Sequence, residues 1–217
     1  MYNTVIIRDD VIVGLSLMQY ADIQHQSRET LRRAILDAAT RLLVDGGLRA
    51  LSMRRVAAEV GCSTTVLYTL FGGKPGLLDA LWREGFDRLW QAEERALETE
   101  DPLSRLAALG SAYRQHALEN PDYYRVMFGG VIPGFQPSPP ALDQSRQTFQ
   151  VLVDAVQGCI DANIFRREDP EAVALVLWAT VHGVVSLELA GSLREEERQQ
   201  VFEQAMRAVA TGFMGRM

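Results

Sequence analysis

The stretch Leu51-Ser52-Met53-Arg54-Arg55-Val56-Ala57-Ala58-Glu59-Val60-Gly61-Cys62-Ser63-Thr64-Thr65-Val66-Leu67-Tyr68-Thr69-Leu70-Phe71 reads as two short amphipathic helices joined by a tight turn centred on Gly61. Ala57 is small where two helices must cross closely, and Gly61 can take the positive φ that such a turn needs. Leu67 and Leu70 return apolar groups toward Val56 and Val60. Ser63 stands where it would cap the second helix, leaving Thr64, Thr65, Tyr68 and Thr69 as a polar face. A short helix with hydroxyls at its N-terminal end suits a major groove, where base edges offer donors and acceptors. Taken alone, the pattern also suits a helical hairpin in a larger bundle, with Ser52 and Ser63 only as caps and Tyr68 as a half-buried aromatic.

The surroundings favour the nucleic-acid reading. Ser52 opens the first short helix, where a hydroxyl and the neighbouring amides can meet phosphate, and Lys74-Pro75 opens the next helix with a cation. The net charge of the 217 residues is −6, but it is distributed unevenly. Residues 28–75 carry seven Arg and one Lys against four acids, a net of +4, whereas residues 76–217 net −8 and residues 1–27 net −2. A basic segment followed by a longer acidic one implies two tasks in one chain, the first compatible with phosphates.

Composition excludes several other classes. With 47% hydrophobic and 23% charged residues, neither a disordered nor a membrane class is indicated. Cys62 and Cys159 cannot build a disulfide framework or a four-thiolate zinc site, and His25, His116 and His182 are too far apart for a local metal motif. No nucleophile elbow, Walker or dinucleotide-binding signature is present, so no catalytic residue, metal ligand or cofactor is expected. The uncharged run Ala172–Leu187 has 16 residues and contains His182, Gly183 and Ser186. It falls short of the roughly 20 apolar residues of a membrane span and reads as a buried helix. No targeting segment is evident, and the expected location is the cytoplasm.

Prolines punctuate the rest. Asp101-Pro102, Asn120-Pro121 and Asp169-Pro170 each read as a cap followed by a first helical turn, and Gly129–Pro140 reads as a Gly/Pro-rich connector. Ser192 with Glu195 reads as a capping box. The expected fold is all-α, with helices near 28–45, 52–60, 64–71, 75–99, 103–118, 121–128, 141–164, 170–190 and 193–214. Residues 1–26 read as an N-terminal extension or arm, in which Val5-Ile6-Ile7 and Val11-Ile12-Val13 are short strand candidates.

The series Arg33-x-Ile35-Leu36-x-Ala38-Ala39, Gly46-Gly47, Leu51-Ser52-Met53-Arg54-x-Val56-Ala57, Gly61-x-Ser63 and Leu67-Tyr68-x-x-Phe71-x-x-Lys74-x-x-Leu77-Leu78 resembles the N-terminal domain of the TetR family of transcriptional regulators. The resemblance covers residues 28–82 in order. It implies a three-helix DNA-binding head over 27–74 and a helical ligand-binding and dimerisation domain over 75–217. It also implies that Thr64, Thr65, Tyr68 and Thr69 face a double-stranded operator, with Ser52 and Lys74 on phosphates. One departure is Leu70, where many members carry His immediately before the Phe matching Phe71; a polar contact is therefore not expected there.

The later part is similar to a subset of the family marked by Trp178-x-x-x-His182-Gly183, with Asn120-Pro121-x-Tyr123-Tyr124-x-x-Met127-Phe128 upstream. The resemblance implies a homodimer paired through the last two helices, with apolar faces at Val173, Val176, Leu177, Val181 and Val184 and at Phe202, Ala205, Met206, Val209 and Phe213. A sensor cavity is expected among Tyr113, His116, Tyr123, Met127, Phe149, Trp178 and His182, taking a mainly apolar effector with one or two polar anchors. The residues leave packing open as the role of His182, Tyr123, Tyr124 and Met127. Rival readings are a helical ligand-binding or interaction module without DNA binding, and an enzyme built on His116, His182 and Glu188.

Overall fold

The computed structural model describes residues 17–215, among which every regular element is helical. In chain order these are α1 (Leu17–Ala50), α2 (Met53–Val60), α3 (Thr64–Phe71), α4 (Lys74–Glu94), α5 (Pro102–Glu119), α6 (Pro121–Phe128), α7 (Pro139–Asp161), α8 (Pro170–Leu189) and α9 (Glu195–Phe213). A tighter turn, Arg95–Glu98, ends the run of α4. The chain divides into two compact units between Leu77 and Leu78. The strand candidates at Val5–Val13 lie outside the described residues.

The first unit packs α2 against both α1 and α3. Ile35, Leu36, Ala39 and Leu43 recur at helical spacing on α1 and are buried, as are Val56 and Ala57 of α2, Leu67 of α3 and Leu77. Helix α1 begins at Leu17, earlier than the expected arm allowed, and its regular winding breaks at Gly47 (φ +66°). The turn between α2 and α3 is closed by backbone chemistry. Gly61 adopts φ +74° and ends α2, its N–H donating to the Ala57 carbonyl, while the Cys62 N–H donates to the same oxygen at 3.0 Å. No atom crowds a Cβ added at Gly61, so glycine is required there by its dihedral angle and not by space.

In the second unit the proline punctuation works as expected at two of its three sites. Asp101 accepts from the Ser104 N–H at 2.8 Å and Asp169 from the Glu171 N–H at 3.1 Å. Asn120 makes no such cap; its Oδ1 accepts from Arg88 and its Nδ2 donates to the His116 carbonyl. Pro139 and Pro140 belong to the first turn of α7 and not to the connector, because Ser138 caps that helix and is itself held by Asp79.

The expected capping box at Ser192 is displaced. Gly191 (φ +68°) and Ser192 complete the end of α8, donating to the carbonyls of Glu188 and Leu187, so α9 starts only at Glu195. There Glu197 accepts from the backbone N–H of Arg194.

Two clusters form the core of this unit. One joins Trp82, Phe86 and Leu89 of α4 to Tyr113, Tyr124, Val181, Val185 and Phe202; the other joins Leu106 and Leu109 to Val156, Cys159, Val173 and Leu177. Between α5 and α8 the guanidinium of Arg114 pairs with Glu188 and also reaches Gln199 on α9. Among the described residues one helix, Pro170–Leu189, is long and apolar enough to cross a membrane. It is buried on one face only, where Val173, Leu177, Val181 and Val185 meet the core, while Leu175, Val176 and Leu187 are exposed.

Candidate DNA interface and effector cavity

In the first unit, α3 presents Thr65, Tyr68 and Thr69 to solvent, with Tyr68 55% exposed despite its aromatic ring. Leu67 is fully buried on the opposite side, so burial itself fixes which face of this eight-residue helix points outward. Thr64 and Leu70 are half-buried, and the Thr69 hydroxyl donates to the Thr65 carbonyl at 2.9 Å.

Ser52 caps α2, accepting from the Arg55 N–H at 3.3 Å. Ser63 departs from expectation. It has the extended backbone of a capping residue but makes no side-chain capping bond, and it is exposed.

Lys74 is more occupied than a free phosphate-binding cation. Its Nζ donates to the carbonyls of Leu48 and Leu51, both at 2.7 Å, tying the start of α4 to the segment between α1 and α2. An ammonium has three N–H donors, so one is left over from these two bonds.

The second unit contains a cavity of about 590 Å³. Of the seven sensor residues expected from sequence, Tyr113, Met127, Phe149 and Trp178 line it, while His116, Tyr123 and His182 do not. His182 is engaged beside the cavity: its Nδ1 lies 3.0 Å from the Tyr113 hydroxyl and 2.8 Å from that of Tyr124. Its ring stacks on Tyr124 and leans on Trp178. Burial lowers the His182 pKa and raises those of the Tyr113 and Tyr124 hydroxyls, so the cluster is neutral.

Tyr123 is buried, with the Arg88 guanidinium 4.2 Å from its ring centre. His116 is buried with Nε2 unpartnered, and burial, reinforced by the nearby Arg88 charge, holds its pKa down to about 4. His116, His182 and Glu188 thus have separate environments, Glu188 being taken up by Arg114. Among the described residues no group of three or more His, Cys, Asp or Glu is placed to hold a metal ion.

Most of the other residues lining the cavity are not among those expected from sequence, and the one that matters chemically is Glu93. It is only 8% exposed, and its Oε2 has no hydrogen-bond partner. Burial pushes its pKa up to about 8. The signal was available in the register: Trp82, Phe86, Leu89 and Glu93 follow one helical stripe, so Glu93 occupies a position that three apolar residues mark as inward.

The dimerisation faces expected from sequence need correction. Val173, Leu177, Val181, Val184 and Phe202 are buried in this chain's own core, and Ala205, Met206, Val209 and Phe213 pack partly against it. Of the α8 residues expected at an interface, Val176 alone is exposed; Leu175 and Leu187 extend that surface. An apolar helical stripe identifies a buried face without saying which neighbour buries it.

A two-helix turn presenting a hydroxyl-rich outer face, followed by a helical unit with an apolar cavity, defines the class of helix-turn-helix regulators. Comparison with known proteins narrows it. The profile described as "Bacterial regulatory proteins, tetR family" matches residues 35–81, and "Tetracyclin repressor-like, C-terminal domain" matches residues 106–209. The chain belongs to the TetR family of transcriptional regulators.

The HTH-type transcriptional regulator BetI of Burkholderia ambifaria is 36% identical over 87 residues, covering 39% of this chain and 45% of that protein. The chain thus spans less than half the length of these curated relatives. The HTH-type transcriptional regulator Mb1846 of Mycobacterium bovis is 22% identical over 197 residues, covering 77% of this chain and 84% of that protein. A solved structure of a protein with unknown function from Rhodococcus sp. RHA1 is 31% identical with a TM-score of 0.74, covering 85% of this chain and 96% of that one.

Proposed function

We propose that this protein is a ligand-responsive transcriptional repressor that binds a palindromic operator as a homodimer and is released from it by a small, mainly apolar effector. The observation that carries this reading is the outer face of α3. Thr65, Tyr68 and Thr69 stand exposed on the second helix of a helix-turn-helix, in the basic segment of an acidic chain. Family membership supports the same reading, since TetR-family regulators bind DNA, respond to ligands and usually repress.

Residues 27–74 form the DNA-binding domain in this reading, and 75–217 the ligand-binding and dimerisation domain. Thr64, Thr65, Tyr68 and Thr69 read the major groove, with Ser52, Ser63 and the remaining N–H of Lys74 on phosphates. The cavity holding Tyr113, Met127, Phe149 and Trp178 is the effector site. His182 acts on it through Tyr113 and not by direct contact. A regulator of this kind works in the cytoplasm, where DNA is accessible.

Selection of bound sequences from random DNA tests the proposal. An inverted repeat is expected, because two-fold symmetry of the protein imposes two-fold symmetry on its site. Thr65→Ala should alter base preference at one symmetric pair of positions. Enrichment of no sequence would refute a DNA-binding role. An effector must bind free and operator-bound protein unequally, and DNA must change effector affinity by the reciprocal factor.

A further inference from the structure

We infer that the cavity of the second unit takes a lipophilic organic cation, an amine or quaternary ammonium, with the Glu93 carboxylate as its counter-ion. This deepens the proposed function and rests on the cavity being the effector site.

Three independent features converge on a cation. First, Glu93 is more than nine-tenths buried, faces the cavity and has Oε2 without a partner. A buried acid in apolar surroundings either stays protonated or, once ionised, needs a cation to pair with it. Second, the wall is rich in rings: Trp82, Phe86, Phe149 and Trp178 supply aromatic surfaces, which attract cations and gain nothing from anions. Third, the charges on the wall are unbalanced. Glu93 and Glu171 face a single cation, Arg146, which is largely exposed and bonded to Asp143 at 3.0 Å. An anionic ligand would find no buried positive partner here, whereas a cation finds a buried negative one.

The chemistry couples ligand charge to a proton. Burial raises the Glu93 pKa to about 8, so at neutral pH the empty cavity holds a protonated carboxyl. Entry of a cation favours the carboxylate, and the carboxyl proton is released to solvent. Cation affinity therefore rises with pH up to about 8 and then levels, by at most about tenfold per pH unit for one proton released. The other titratable groups on the cavity wall are Tyr113 of α5, Arg146 of α7 and Glu171 of α8. A Glu93→Gln substitution separates their contributions from that of Glu93.

The test is calorimetric titration of the full chain with three probes of one shape: 4-phenylbutyltrimethylammonium, its neutral carbon isostere, in which a quaternary carbon replaces nitrogen, and 4-phenylbutylsulfonate. At pH 8.5 the ammonium should bind at least tenfold more tightly than the isostere, with the sulfonate weakest. Glu93→Gln, which keeps the size and an uncharged amide, should abolish that preference and the pH dependence while leaving affinity for the neutral isostere within about twofold of wild type. Equal binding of ammonium and isostere, no binding of the ammonium, or a preference that survives Glu93→Gln would overturn the inference. Operator affinity measured with and without the ammonium bears on the effector reading alone, so a tightly held cation that leaves operator affinity unchanged would refute that reading and uphold this one.

Discussion

The guanidinium of Arg114 on α5 grips the carboxylate of Glu188 on α8 with two hydrogen bonds, Nε to Oε1 at 2.7 Å and Nη2 to Oε2 at 2.9 Å, while Nη1 reaches Gln199 on α9 at 2.8 Å. Glu188 is only 3% exposed, so one cation satisfies a buried acid and links three helices.

Removing either partner alone should be far worse than removing both. Arg114→Ala strands a buried carboxylate and is expected to cost about 3 kcal/mol or more, whereas Arg114→Met with Glu188→Leu should recover most of that loss. Urea denaturation of the two variants beside wild type checks the difference. A single-variant cost below about 1 kcal/mol would mean that Glu188 is solvated when unpaired.

Lys74 has a bracing duty and a surplus donor. Lys74→Ala deletes both bonds to the Leu48 and Leu51 carbonyls, and a loss of about 2 kcal/mol is expected. In a dimer the slope of log affinity against log salt should also fall by about 2, one phosphate contact per subunit. Thermal unfolding and DNA titrations over a salt series measure the two effects separately. Lower stability with an unchanged slope would assign the ammonium wholly to bracing.

The exposed side of α8 is the expected subunit contact. Val176 is 46% exposed and Leu187 48% exposed, on the face opposite the core residues Ala174 and Val185. Val176→Glu with Leu187→Glu should give a folded monomer by sedimentation equilibrium. Phe202→Glu, at a position only 6% exposed, should instead prevent folding. A fully dimeric Val176/Leu187 double variant would move the interface to another surface.

His116 and Glu93 impose opposite pH dependences on stability. His116, held down to about 4, stays neutral in the folded chain while an unfolded imidazole takes up a proton near the usual 6.5. Its contribution is complete above 6.5 and is lost as pH falls toward 4. Glu93, raised to about 8 from the usual 4.5, stays protonated in the fold, so its contribution is complete below 4.5 and is lost as pH rises through 8. Each slope is at most about 1.4 kcal/mol per pH unit. Glu93→Gln should therefore remove the decline toward pH 8 and uncover a rise between 4 and 6.5 that the opposing Glu93 slope largely cancels in wild type, which denaturation at half-unit pH steps would reveal. A wild-type profile already flat from 6.5 to 8 would show that Glu93 is ionised in the folded chain.

The sequence by itself determined the helical elements and the outward side of α3. Helical spacing, prolines after Asp101 and Asp169, and the glycine at position 61 are local instructions, written within one or two turns of chain. The same locality explains the misses at helix ends. Ser192 carries the signature of a cap, yet Gly191 draws its N–H back to finish α8.

Tertiary structure decided what each apolar face meets. Phe202 and Val176 look alike in a periodic pattern, but α9 turns Phe202 into this chain's own core while Val176 is left in solvent. Likewise, the register of α4 marks Glu93 as inward, but that it meets a cavity beside Tyr113, Phe149 and Trp178 is decided only where α4, α5, α7 and α8 come together. Periodicity records which side of a helix avoids water. Whether that side finds a core, a cavity or another chain depends on contacts between residues tens of positions apart, which no local pattern encodes.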